Sequence, residues 1–127
     1  MATILVVDDS PVILRMVAFT LRKTGHQVIT ADHGLSALMV LENNDVDLII
    51  SDINMPYKDG ISLLNDLKDK PETATIPFIF YTANREISTA ERHLAYESAD
   101  RVLSKPTSSL QITDSVNALL LKSKKIA

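Results

Sequence analysis

Four stretches of this chain end in residues that could do chemistry together. Asp8-Asp9 follows the apolar run Thr3–Val7, Asp52 follows Asp47–Ser51, Thr82-Ala83 closes Pro77–Thr82, and Lys105-Pro106 follows Arg101–Ser104. An Asp after a strand is a common turn or cap residue, so none of these positions means much alone. Their convergence on one edge would. Carboxylates packed together repel, and some must protonate unless a cation joins them. Oxygen-only ligands with no cysteine point to a hard divalent ion, Mg²⁺ in a cell, held by few carboxylates and several waters. A cation, an ammonium (Lys105) and a hydroxyl (Thr82) around one carboxylate can stabilise a transferring phosphoryl group. One carboxylate is then the nucleophile, as in aspartyl-phosphate chemistry. Asp52 is the candidate, because Asp8 and Asp9 form a pair suited to the metal.

The elements that must position these groups are legible as alternation. Thr3–Val7, Val28–Ala31, Asp47–Ser51, Pro77–Thr82 and Arg101–Ser104 read as five strands, several apolar throughout, as strands covered on both faces are. Five helices are expected between and after them. The first has Ser10 as N-cap, Pro11 at its first position, Ile13, Met16, Val17, Thr20 and Leu21 as its buried stripe, and Gly25 as its stop. The second is Leu35–Asn43, with Gly34 before it. The third is Gly60–Asp69 capped by Asp59, and a loop over Pro71–Pro77 follows it. The fourth runs from about Ile87 to Ser98. The fifth runs from about Ser108 to Lys122, capped by Ser108 or Ser109. Strict β-α alternation predicts a doubly wound, three-layer α/β sandwich with right-handed crossovers. In such folds ligands bind beyond the carboxyl ends of the strands, where the Asp, Thr and Lys residues stand.

Composition narrows the classes. The 127 residues fit one domain, 1–127, with no linker, repeat or low-complexity tract. Zero cysteines exclude disulfides, thiolate metal sites and a Cys nucleophile, and suit the cytosol. Sixteen acidic residues against 13 basic give a net charge of −3, so no nucleic-acid partner is expected. The cluster Lys122, Lys124 and Lys125 reads as a solvated helix end. No apolar run reaches the roughly 18 residues of a membrane span, and no signal peptide precedes the first strand. With only Gly25, Gly34 and Gly60, there is neither a phosphate loop nor a dinucleotide fingerprint.

Asp8-Asp9, Asp52-Ile53-Asn54-Met55-Pro56 with Asp59-Gly60, Thr82-Ala83 and Lys105-Pro106 stand in the order and at the spacings of bacterial receiver domains, the response-regulator modules of two-component signalling. The chain resembles that family along its whole length. The resemblance implies a flavodoxin-like sheet of order 2-1-3-4-5. It implies a signalling switch rather than a multiple-turnover enzyme, with Asp52 taking a phosphoryl group from a phosphohistidine on a sensor histidine kinase or phosphotransfer domain, and a downstream protein target. Mg²⁺ would be held by Asp9 and Asp52, by the Asn54 carbonyl, and by Asp8 mostly through water. Thr82 and Lys105 would contact the phosphoryl oxygens, and the Lys105-Pro106 bond would be cis.

The chain also departs from the pattern. Val102 stands where many receivers carry an aromatic ring, so signal is expected to reach the fourth helix and fifth strand without a ring flip. Ser98 replaces a frequent Gly, which predicts a rearranged turn if that turn is left-handed. Asn54 and Asn84 lie two residues beyond Asp52 and Thr82 and add no charge. Leu14, Ala18 and Phe19 on the first helix read either as partly covered apolar residues or as a docking patch for the phosphoryl donor. His26, His33 and His93 lack metal-ligand spacing and read as surface or interface residues, and Tyr81 and Tyr96 read as packing residues or as substitutes for the missing switch aromatic, with packing favoured. Two rivals stand beside the receiver: an interaction module that takes no phosphate, and a haloacid-dehalogenase-like phosphatase. The latter places a second acid two residues after its nucleophile, where this chain has Asn54 after Asp52 and Ser10 after Asp8. The sequence fits a stand-alone regulator or a segment of a longer regulator or hybrid kinase.

Overall fold

The computed structural model of the chain describes residues 2–83 and 90–124. Asn84, the predicted helix start at Ile87, Lys125 and the side chains of His93 and Lys124 lie outside the described residues.

Five strands, β1 (Thr3–Val7), β2 (Gln27–Ala31), β3 (Leu48–Ser51), β4 (Phe78–Thr82) and β5 (Arg101–Ser104), form one parallel sheet in the order β2-β1-β3-β4-β5. The order and parallel sense agree with the sequence expectation. Around the sheet lie α1 (Pro11–Lys23), α2 (Gly34–Asn43), α3 (Gly60–Lys68), α4 (Pro71–Ala74), α5 (Ala90–Ser98) and α6 (Ser109–Lys124). Residues 71–77, expected as a loop, thus contain one helical turn, and six helices are described instead of five. Pro71 at the first helical position presets φ for that turn, and four residues are too few to leave a periodic signature.

The period of two in the strands divides the core. Ile4, Val6, Ile50, Ile79 and Leu103 face α1 and α6, where Val17, Leu21, Ile112 and Val116 meet them. Leu5, Val7, Ile49, Phe78 and Phe80 face the other way, onto Ala37 of α2, Leu63, Leu64 and Leu67 of α3, and Ala95 of α5. The central strands are therefore covered on both faces, which explains their uninterrupted apolar runs.

Local signals set the helix ends. The Ser10 hydroxyl accepts from the Ile13 N–H, and Pro11 follows at the first helical position. At the far end Gly25 has φ +96°, and the Gly25 and His26 N–H groups donate to the Arg22 and Leu21 carbonyls, a Schellman closure. The buried arc of α1 is Val17, Ala18, Thr20 and Leu21. Met16, expected in the stripe, is 41% exposed, and Ala18, expected beside it, is buried at 2%. The arc is rotated toward Ala18, which leaves Met16 on the groove between α1 and α6. His33 caps α2: its Nδ1 accepts from the Ser36 N–H, and the Ser36 hydroxyl oxygen accepts in return from the His33 N–H. Asp59 caps α3 through the Ser62 N–H, and the Ser108 hydroxyl accepts from the Gln111 N–H at the start of α6. Ser98 ends α5 with its hydroxyl on the Leu94 carbonyl. Tyr57, not Ser98, is the non-glycine residue with positive φ among the described residues, so no left-handed turn forms at Ser98.

Candidate functional site

The parallel sheet carries the ends of β1, β3, β4 and β5 to one rim. Asp8 follows β1, and its N–H donates to the Ala31 carbonyl of β2 at 3.1 Å. Asp52 follows β3 and is tied to β1 in the same way, by its N–H on the Val7 carbonyl at 2.9 Å. Each aspartate is thus fixed by a ladder bond continuing past its strand. Carboxylate oxygens of Asp8, Asp9 and Asp52 lie within 4.8 Å of one another. Asp8 is 2% exposed and Asp52 9%, whereas Asp9 is open to solvent.

Lys105 crosses the rim to meet two of them. Its Nζ donates to Asp8 Oδ2 at 2.6 Å and to Asp52 Oδ2 at 3.0 Å. The Lys105-Pro106 peptide is cis, as expected, and the Lys105 N–H is held by the Thr82 carbonyl at 3.0 Å. The remaining carboxylate oxygens take backbone donors: Asp8 Oδ1 accepts from the Ser10 N–H at 2.9 Å, and Asp52 Oδ1 from the Ile53 N–H at 2.7 Å. The structure therefore joins Asp8, Asp9, Asp52 and Lys105 directly. Thr82 is buried at the end of β4 on the same rim, and Asn54 is exposed in the loop from β3 to α3. That loop is closed by the Gly60 N–H on the Ile53 carbonyl at 2.8 Å.

The charges do not balance. Burial pushes the Asp8 carboxyl above its ordinary range, and the bonds from Lys105 and Ser10 only partly offset this. Burial alone would pull the Lys105 ammonium down, but its contacts with Asp8 and Asp52 outweigh that and hold it above its ordinary range. Two carboxylate charges ~5 Å apart repel by about 3 kcal/mol at the effective dielectric of a protein rim. That exceeds the net contribution of a typical hydrogen bond, about 1 kcal/mol. Among the described residues, one ammonium beside three carboxylates leaves negative charge unanswered, and the donor set is all oxygen. These residues fit a hard divalent cation of the Mg²⁺ type.

Several surroundings of the site were not legible beforehand. The backbone donors of Ser10 and Ile53 have no sequence signature. Tyr81, expected to serve packing, is buried with its ring 5.6 Å from Lys105 Nζ and its hydroxyl accepting from the Thr107 N–H. Tyr96 packs against Phe80, with centroids 5.9 Å apart. Val102 is half-buried on the α5 side of the sheet. His26 joins the Ala2 N–H to the Asn117 amide oxygen. The α1 patch is altered: Ala18 is core, Leu14 packs against core, and the open apolar groove is lined by Met16 and Phe19 of α1 and Leu110 of α6, with Arg15 and Lys23 beside them.

Residues 4–117 match the response regulator receiver domain family. The chain is 41% identical over 103 residues to the sensor histidine kinase RcsC of Escherichia coli, covering 81% of this chain and 10% of that protein. It thus spans about a tenth of the length of those kinases. Protein PilH of Pseudomonas aeruginosa is 32% identical over 120 residues, covering 94% of this chain and 98% of that one. Among solved structures, the signal receiver domain of a histidine kinase from Syntrophus aciditrophicus superposes with a TM-score of 0.88 at 34% identity, over 96% of this chain and 92% of that one. The response regulator TrrA of Thermotoga maritima, solved in complex with Mg²⁺ and BeF, gives 0.83 at 28% identity, over 94% and 99%.

Proposed function

From membership of the response regulator receiver family, to which this chain belongs, we propose that it is a phospho-accepting switch of a phosphorelay with Asp52 as acceptor. A carboxylate oxygen of Asp52 attacks the phosphorus of a phosphohistidine on a sensor kinase or phosphotransfer domain. The P–N bond breaks as the P–O bond forms, and the leaving electron pair stays on the imidazole. Asp9, Asp52 and the Asn54 carbonyl are the proposed holders of Mg²⁺, with Asp8 acting mostly through water. Bound there, the ion supplies charge neutralisation for the phosphoryl oxygens. Lys105 answers the remaining negative charge, already lying 3.0 Å from the acceptor carboxylate. Thr82 is assigned to a phosphoryl oxygen, and its main-chain bond to Lys105 links the two groups.

The observation that carries this reading is the Lys105 ammonium bridging Asp8 and Asp52 beside Asp9. The exposed groove of Met16, Phe19 and Leu110, flanked by Arg15 and Lys23 near the helix that begins beside Asp9, is the proposed seat of the phosphoryl donor. The receiver acts on a protein target, in the cytoplasm, as one domain over residues 1–127. The test is incubation with Mg²⁺ and a small acyl phosphate, read by intact mass. A phosphoryl adduct lost in Asp52→Asn is the expected result. Multiple turnover of a phosphomonoester would instead favour a phosphatase, and an unmodified wild-type chain an interaction module.

A further inference from the structure

No step of the proposed transfer uses Tyr81, yet its ring lies against the lysine on which the transfer depends. Tyr81 is the penultimate residue of β4, 2% exposed, in the core between the sheet and α1 and α6. Packing alone asks only for an apolar side chain, as Ile79 provides two residues earlier on the same face. A tyrosine there also buries a hydroxyl, which must find a partner. It finds the Thr107 N–H at 3.3 Å. The ring face lies 5.6 Å from Lys105 Nζ, within reach of a cation–π attraction. One side chain thus holds the loop after β5 at two points: its backbone just past Pro106, and the ammonium of Lys105.

We infer that Tyr81 is a positioning residue for Lys105, a role that rests on the receiver reading of that lysine. The physical need is plain. A lysine stem is long and rotamer-rich, so an unanchored ammonium spends little time aimed at one carboxylate. Its other partners, Asp8 and Asp52, are themselves candidate ligands of the divalent ion. The ring carries no charge and cannot be claimed by a metal, so its hold on Lys105 persists when the carboxylates turn to other partners. Register supports the arrangement. Tyr81 pairs with Leu103 and Thr82 with Ser104, which sets the ring beside the strand end from which Lys105 departs. The same contact ties the site to α6, because Ser108, which caps that helix, directly follows Thr107.

Two substitutions separate ring from hydroxyl. Tyr81→Phe keeps the ring alone, and Tyr81→Leu removes both; Tyr81→Met replaces the leucine variant should that one fail to fold. With Mg²⁺ and a small acyl phosphate, Tyr81→Leu is expected to be phosphorylated roughly tenfold more slowly than wild type, and Tyr81→Phe at close to the wild-type rate. Mg²⁺ affinity, by titration calorimetry, stays the same in all three. A leucine variant as fast as wild type, equal slowing in both variants, or a parallel fall in Mg²⁺ affinity overturns the inference. Proton NMR without any phosphodonor gives an independent reading. The Lys105 side-chain methylenes should show upfield ring-current shifts in wild type and Tyr81→Phe that vanish in Tyr81→Leu, and their absence from wild type also overturns it. Failure of the wild-type chain to be phosphorylated sinks the receiver reading instead, while the NMR comparison still decides the role of Tyr81.

Discussion

Asp8 is the residue whose environment conflicts most with its charge. It is buried, and its carboxyl is held above the ordinary range even with Lys105 at 2.6 Å. Its folded-state pKa lies above the unfolded value, so its contribution to stability is fully present below the unfolded pKa and is lost as pH rises through the folded one. Asp8→Asn does not titrate, and its amide oxygen can still accept the Ser10 N–H. Over a metal-free series from about pH 4 to pH 8, the variant should therefore gain on wild type as pH rises through the folded-state titration of Asp8. Urea unfolding across that range checks it, and a gap that widens on acidification would refute it. Asp9 behaves differently, being exposed and available to an incoming ion. Mg²⁺ at a hundred times its Kd should stabilise the wild-type fold by about 2.7 kcal/mol. Asp9→Asn should lose most of that gain, and an undiminished gain would remove Asp9 from the ligand set. At this scale the sequence was informative about residue types: acids, a hydroxyl and a lysine at strand ends can be read directly. The Lys105 contact to Asp8 spans 97 residues and depends on how the fold closes, so no local pattern foretells which carboxylates the lysine chooses.

Elements matter here through the loops that close them. Between β3 and α3 the chain must return to the sheet within reach of Asp52, and Gly60 lets it do so. A Cβ on Gly60 would stand 2.1 Å from the Asp52 carbonyl oxygen and 3.0 Å from Ile53 Cα, both backbone atoms with little freedom to yield. Gly60→Ala should cost about 2 kcal/mol or more and weaken Mg²⁺ binding with it, because relief requires moving the Asp52 backbone. A variant of reduced stability with unaltered Mg²⁺ affinity would show that the loop yields elsewhere. Helix and strand identity was legible because periods of two and 3.6 differ over runs of this length. The exceptions have physical causes. A four-residue helix at Pro71–Ala74 is shorter than any period, and His33 caps α2 through an imidazole nitrogen, which cap preferences do not favour. Met16 and Ala18 exchanged places because periodicity defines a stripe but not its rotation, which tertiary packing decides.

The whole molecule has two apolar layers sharing one sheet, with the acidic rim at the carboxyl ends of its strands. Neither layer can survive the loss of the other, because β1, β3 and β4 supply alternate residues to both. The sheet order was readable only through resemblance, since alternation alone fixes a doubly wound class and not which strands are neighbours. A shared sheet predicts cooperative unfolding in spite of the divided core. Ile112→Val in α6 and Ile61→Val in α3 each delete one methylene on opposite sides of the sheet. Each should cost about 0.5–1.5 kcal/mol. The double variant should lose the sum to within about 0.5 kcal/mol, because the sites share no partner. Both should move the urea midpoint without changing the slope, since the whole surface is still exposed in one step. If the layers were separate units, either substitution would split the transition, with only the phase belonging to its own side moving. Coincident curves from an α6 probe and an α3 probe in all four proteins would establish that the rim carrying Asp8, Asp9 and Asp52 is held rigid by both layers together.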